Sequence, residues 1–216
     1  MSHQDSLLTW AALSVCLLGT SGTLQASEPS DWCAVDAMGF EVVTDLPADE
    51  LNELLRDLIR FEQFAQPYLP GTATQAQVPM NMLIFSSHQS FQRYFGARRF
   101  AGFMQPSLTT STLVIAPHRG DRALQETARH EYAHYLLRNR MDVSLPVWFD
   151  EGLASLLSNI EVEGDSVTIG TLPLQRMQSL FAKNNTWPLD VKQVLNADDL
   201  TEWSPNRTGQ FYAYAW

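Results

Sequence analysis

The chain has 216 residues, 45% of them hydrophobic and 18% charged, and 14 Lys+Arg against 24 Asp+Glu give a net charge of −10. That apolar content excludes a wholly disordered chain, and the acidic balance argues against nucleic acid as a partner, because phosphate binding needs clustered Lys and Arg. Two cysteines, Cys16 and Cys33, exclude a disulfide-dense scaffold and a multi-cysteine zinc ribbon, and no apolar run reaches the roughly 18 residues of a membrane span.

In chain order, Leu7 to Leu18 (LLTWAALSVCLL) is uncharged and apolar, and small and polar residues follow it. That order is a signal-peptide pattern, with a cut expected after Ala26 and one domain from 27 to 216. Cys16 is then removed, and Cys33 stands without a partner in the remaining sequence. Gly39 to Thr44 (GFEVVT) reads as a short strand. Pro47, Asp49 and Glu50 open a helix whose apolar stripe is Leu51, Leu54, Leu55, Leu58, Phe61 and Ala65. Pro67 and Pro70-Gly71 end it. Val78 to Phe85 is strand-like, Ser86 to Phe95 a short helix or turn, Ala101 to Met104 a short strand, and Ser111 to Ala116 (STLVIA) a β-rich run. Long helices are expected at about 121–140 and 146–159, a hairpin at 161–169 around Gly164-Asp165, and short helices near 173–182 and 190–195. The last ten residues, RTGQFYAYAW, open an amphipathic helix, so the protein is expected to continue past Trp216. Strands come early and helices late, which predicts an α+β fold.

His130-Glu131-Tyr132-Ala133-His134 is an H-E-x-x-H pattern. On a helix the two histidines share a face and reach one metal ion, while Glu131 stands beside it. A zinc-bound water needs such a neighbour, because the metal lowers the water's pKa and the carboxylate takes its proton. Random placement of the chain's histidines and glutamates gives roughly 0.006 such patterns. A catalytic zinc has three protein ligands and an open position. Glu151, in Pro146-Val-Trp-Phe-Asp-Glu-Gly-Leu-Ala154, lies 17 residues after His134 on the next helix and is the expected third, the other reading being a helix-N-terminal carboxylate favoured by the dipole. Gly152 would allow those two helices to approach closely. Asp150 is a neighbour 100° further round that helix and reads as solvent-facing, with a bond to a ligand imidazole as the other possibility. His88 and His118 read as surface residues, and Phe91, Tyr94, Phe95, Phe100 and Phe103 as core.

HEYAH followed by LPVWFDEGLA resembles the gluzincin metallopeptidases, and in particular the bacterial peptidase-MA-like group of small exported proteins. The likeness covers about 39 to 158 and is strongest at the two motifs. It implies a zincin-like fold, with a small mixed sheet packed against the H-E-x-x-H helix and a following Glu-bearing helix. It also implies Zn2+ as cofactor, with His130, His134 and Glu151 as metal ligands and Glu131 as general base. The expected activity is peptide hydrolysis on a peptide or protein substrate in the bacterial periplasm or outside the cell. Such enzymes supply a later Tyr or His to steady the oxyanion; Tyr212 and Tyr214 are the residues available for it. The other functions compatible with the motifs are a zinc-binding envelope module without turnover and a zinc hydrolase of a non-peptide amide or ester. The sequence is silent on substrate preference and oligomeric state. A peptide is expected to add as an extra strand to a sheet edge beside the His130 helix, with Ser111 to Ala116 as that edge. Its apolar Leu113-Val-Ile also allows a central position.

Overall fold

The structure, a computed structural model, describes residues 32–71, 79–96, 102–105, 110–117, 122–141, 144–163, 166–171, 180 and 189–216. The signal segment expected at 1–26, His118, Phe100, the Gly164-Asp165 turn and all of the short helix expected near 173–182 except Leu180 lie outside them.

Five strands make one mixed sheet in the order β1-β2-β3-β5-β4. They are β1 (Cys33–Ala37), β2 (Phe40–Thr44), β3 (Met80–Ile84), β4 (Gly102–Gln105) and β5 (Ser111–Ile115). β2, β3 and β5 run parallel, and β1 and β4 are the antiparallel outer strands. The parallel β2–β3 pair needs a crossover, supplied by α1 (Ala48–Ala65), whose buried stripe is Leu51, Leu54, Leu58, Phe61 and Ala65. A 3-10 turn containing Pro67 follows it. β2 and β3 alternate buried with less buried residues. Val42, Met82 and Leu113 align across β2, β3 and β5 on one face, with Ile84 and Ile115 in the next row. These side chains form the main core with α1 and with α3 (Arg122–Arg138). On the opposite face, Val114 packs with Phe85 and Phe91, with Leu83 and Phe103 beside them. Phe91 and Phe95 come from α2 (His88–Phe95), which Ser87 caps by accepting from the Ser90 amide at 3.0 Å.

Two polar ties fix α3 against α1. Arg129 pairs with both carboxylate oxygens of Asp57 and donates to the Ile160 carbonyl at 2.9 Å. The buried Tyr132 hydroxyl donates to Glu62 at 2.9 Å. α3 packs on α4 (Val147–Ser158), and α4 in turn on α6 (Pro205–Ala215). Between them α5 (Val191–Leu195) completes a small core of Leu189, Val194, Ala197 and Phe211. β6 (Glu161–Glu163) and β7 (Ser166–Thr168) form a separate hairpin. The fold is thus α+β with a small mixed sheet, as the order of elements predicted.

Two expectations are corrected, and one strand is added. Ser111–Ile115 is not a sheet edge: β5 pairs with β3 on one side and β4 on the other. Its Leu113, Val114 and Ile115 are all buried, a burial that only a strand covered on both faces and paired on both sides attains. The outer strand beside it is β4. Strand β1 was not anticipated; four of its five residues are exposed, so no apolar alternation marks it. Finally, a Cβ on Gly152 would overlap the Ala215 carbonyl, so this glycine serves the approach of α6 to α4, not that of α3 to α4.

Candidate metal centre

His130 and His134 sit one turn apart on α3, and Glu151 sits early in α4. Their ligand atoms all lie within 4.8 Å of one another. His130 Nε2 is 3.2 Å from Glu151 Oε2, His134 Nε2 is 3.6 Å from the same oxygen, and the two Nε2 atoms are 3.3 Å apart. The rings stand nearly perpendicular, at 88°. Three lone-pair donors therefore face one point, an arrangement that suits a cation.

Neighbouring groups hold this set in place. Asp150 Oδ1 lies 3.0 Å from His134 Nδ1. The solvent-facing reading of Asp150 is thus corrected: the two ring nitrogens of one imidazole engage two consecutive residues of α4. The signal was in the sequence, because a metal-binding histidine needs an acceptor for its second nitrogen. Burial acts to lower the His134 pKa, but the hydrogen bonds to Asp150 and Glu151 outweigh it and raise it to about 10. Burial acts the other way on Glu151, and the His130 and His134 hydrogen bonds hold its carboxyl below the usual range. Glu131 is pushed up from its ordinary value by burial, opposed by the two imidazoles and reinforced by the Glu151 charge. The result is a mutually hydrogen-bonded His–carboxylate cluster next to a carboxyl whose proton affinity is increased.

The outer strand reaches this cluster. Gly102 on β4 is buried against α3, where Glu131 and Thr127 are its nearest side chains. Behind α4, the last turn of α6 lies against Gly152, the residue after Glu151. Of the two tyrosines on α6, Tyr212 packs beside Phe211 in the small core and Tyr214 is exposed. His88 stacks on Phe91 of α2, away from the metal-binding set. Cys33 carries an exposed free thiol on β1.

No protein-family model matches the chain. It is similar to an uncharacterized protein of Bacillus subtilis (strain 168), YhcO, with 24% identity over 119 residues. The match takes in 48% of this chain and 36% of that protein, so the chain spans only about a third of its relative's length.

Proposed function

We propose that the chain is an exported zinc-dependent metallopeptidase of the gluzincin type, with a zincin-like fold of the peptidase-MA-like kind. The observation that carries this reading is the spacing of the three donors. Zinc bonds of about 2.0–2.1 Å at tetrahedral angles put neighbouring donors about 3.3 Å apart. The donor separations of 3.2, 3.3 and 3.6 Å lie close to that value. Two imidazoles and one carboxylate form a donor set that zinc accepts while keeping a position open. Calcium and magnesium prefer all-oxygen sites.

Zinc, when bound, supplies Lewis acidity, which acidifies water and polarises a carbonyl. The chain's own residues do the rest. Glu131 accepts a proton from the attacking water and returns it to the leaving amine, a task for which a raised carboxyl is suited. Asp150 holds the His134 ring by its Nδ1 atom, leaving Nε2 to the metal. The outer strand β4, next to Glu131, is where an extended peptide would lie as a further strand. The export part of the reading rests on the apolar stretch from Leu7 to Leu18.

The test compares wild type with Glu131→Gln on zinc content and on digestion of a peptide library. Gln is nearly isosteric and cannot take the proton. The variant should therefore hold zinc at the wild-type level and lose about 100-fold or more in turnover. Equal cleavage by both proteins removes Glu131 from the mechanism. A zinc-loaded wild type that cleaves no peptide moves the protein to the binding-module or non-peptide hydrolase class.

A further inference from the structure

We propose that Gly102 is a positioning residue for Glu131: the bare backbone of the outer strand is the wall that sets where the Glu131 side chain stands. Its consequence for turnover rests on the peptidase reading above. Among the described residues four glycines adopt positive φ, namely Gly39, Gly71, Gly96 and Gly170, and Gly102 is not among them. Backbone conformation therefore does not require glycine at this position; space does. A Cβ at 102 would stand 2.8 Å from Glu131 Cγ, 2.9 Å from Thr127 Cγ2 and 3.2 Å from the Val114 carbonyl oxygen.

These three neighbours differ in how they can yield. The Val114 carbonyl belongs to a central strand paired on both sides. Thr127 is β-branched and stiff about its first side-chain bond. Glu131 is unbranched, and its Cγ moves by rotation about one bond. Even the smallest side chain at 102 is thus accommodated by displacing Glu131, and the carboxylate beyond Cγ moves with it. None of the three nearest atoms belongs to His130, His134 or Glu151, so these candidate ligands are expected to keep their places. The arrangement has a further effect. The outer strand on which a peptide would lie is the same backbone that abuts the proton acceptor. The register of a bound peptide on β4 and the position of Glu131 are then fixed by one element.

The experiment uses Gly102→Ala and Glu131→Ala, singly and together, in the zinc-loaded full chain. Thermal melts give a double-mutant cycle that needs no activity. Gly102→Ala should lower Tm in the wild-type background and lower it much less in the Glu131→Ala background, where the Cγ is gone. Equal shifts in both backgrounds overturn the proposal. With a quenched-fluorescence peptide mixture as probe, Gly102→Ala should keep one zinc per chain, keep KM near wild type and lose about 100-fold in kcat, the effect of an ångström-sized misplacement. A coupled Tm cycle with unchanged kcat also overturns it, as does zinc loss in Gly102→Ala. If wild type itself cleaves none of the peptides, the functional reading falls, and the Tm cycle alone decides whether Gly102 sets the position of Glu131.

Discussion

The two histidines of the motif are not held alike. His134 Nδ1 faces Asp150, whereas the buried His130 Nδ1 has no hydrogen-bond partner among the described residues. The orientation of the pair thus depends heavily on one carboxylate. Asp150→Ala removes the only side-chain acceptor described for His134 Nδ1 and frees that ring to turn. Loss of such an outer partner typically weakens metal binding by about 10–100-fold. We expect a drop of that size in zinc affinity, measured by competition with a chromophoric chelator, while the chain stays folded. Wild-type affinity in the variant would mean that packing alone orients the ring. The buried Tyr132 shows a different use of a polar residue in the same helix. Its hydroxyl is raised well above the ordinary tyrosine value, first by burial and then by the charge and hydrogen bond of Glu62, so it stays protonated and serves as a fixed donor tying α3 to α1.

Among the elements, α4 carries the candidate ligand Glu151 without lying in the main sheet layer, so its own supports decide where Glu151 stands. On one side it packs on α3, and on the other on α6, where Gly152 admits the Ala215 carbonyl. Gly152→Ala puts a methyl group into backbone that cannot yield as a side chain would. Overpacking of this kind costs about 1–3 kcal/mol. For a chain of this size that is a fall of roughly 2–4 °C in Tm per kcal/mol. A melt of the variant indistinguishable from wild type would place the α6 contact elsewhere. The H-E-x-x-H motif and the helices that bear it were legible because local patterns report them: histidines at i and i+4 share a helix face and a proline precedes α4, while an apolar stripe likewise marks α1. The strands were less so. β1 is exposed along most of its length and has no pattern to read. The centrality of β5 depends on its pairing with β4, a strand whose place was expected but whose partner was not, because strand pairing is not encoded locally. The role of Gly152 depends on α6, which starts at a Ser204 cap and Pro205 some fifty residues later, and contacts that distant are not encoded locally.

The whole molecule is built so that a metal ion would join two layers. α3 is fastened to α1 by Arg129–Asp57 and Tyr132–Glu62 and to the sheet by Tyr132, Tyr135, Leu136 and Leu137. α4 reaches that frame through its contacts with α3 and through the His130–Glu151 and His134–Asp150 pairs. No helix among the described residues is long and apolar enough to cross a membrane. An ion bound by two ligands from α3 and one from α4 binds the folded chain only. It therefore adds stability by mass action, about 4 kcal/mol when free zinc exceeds Kd a thousandfold. For a chain of this length that corresponds to roughly 8–16 °C in Tm. Chelation should lower Tm by that order, and added zinc should restore it. Glu151→Gln removes the ligand that joins the layers, so its Tm should respond to chelator much less than wild type, even though Gln fills the same space. A zinc-loaded wild type whose Tm does not move on chelation would show that the two layers hold together without the ion, and the coupling of metal site to fold would fail while the ligand assignment stood.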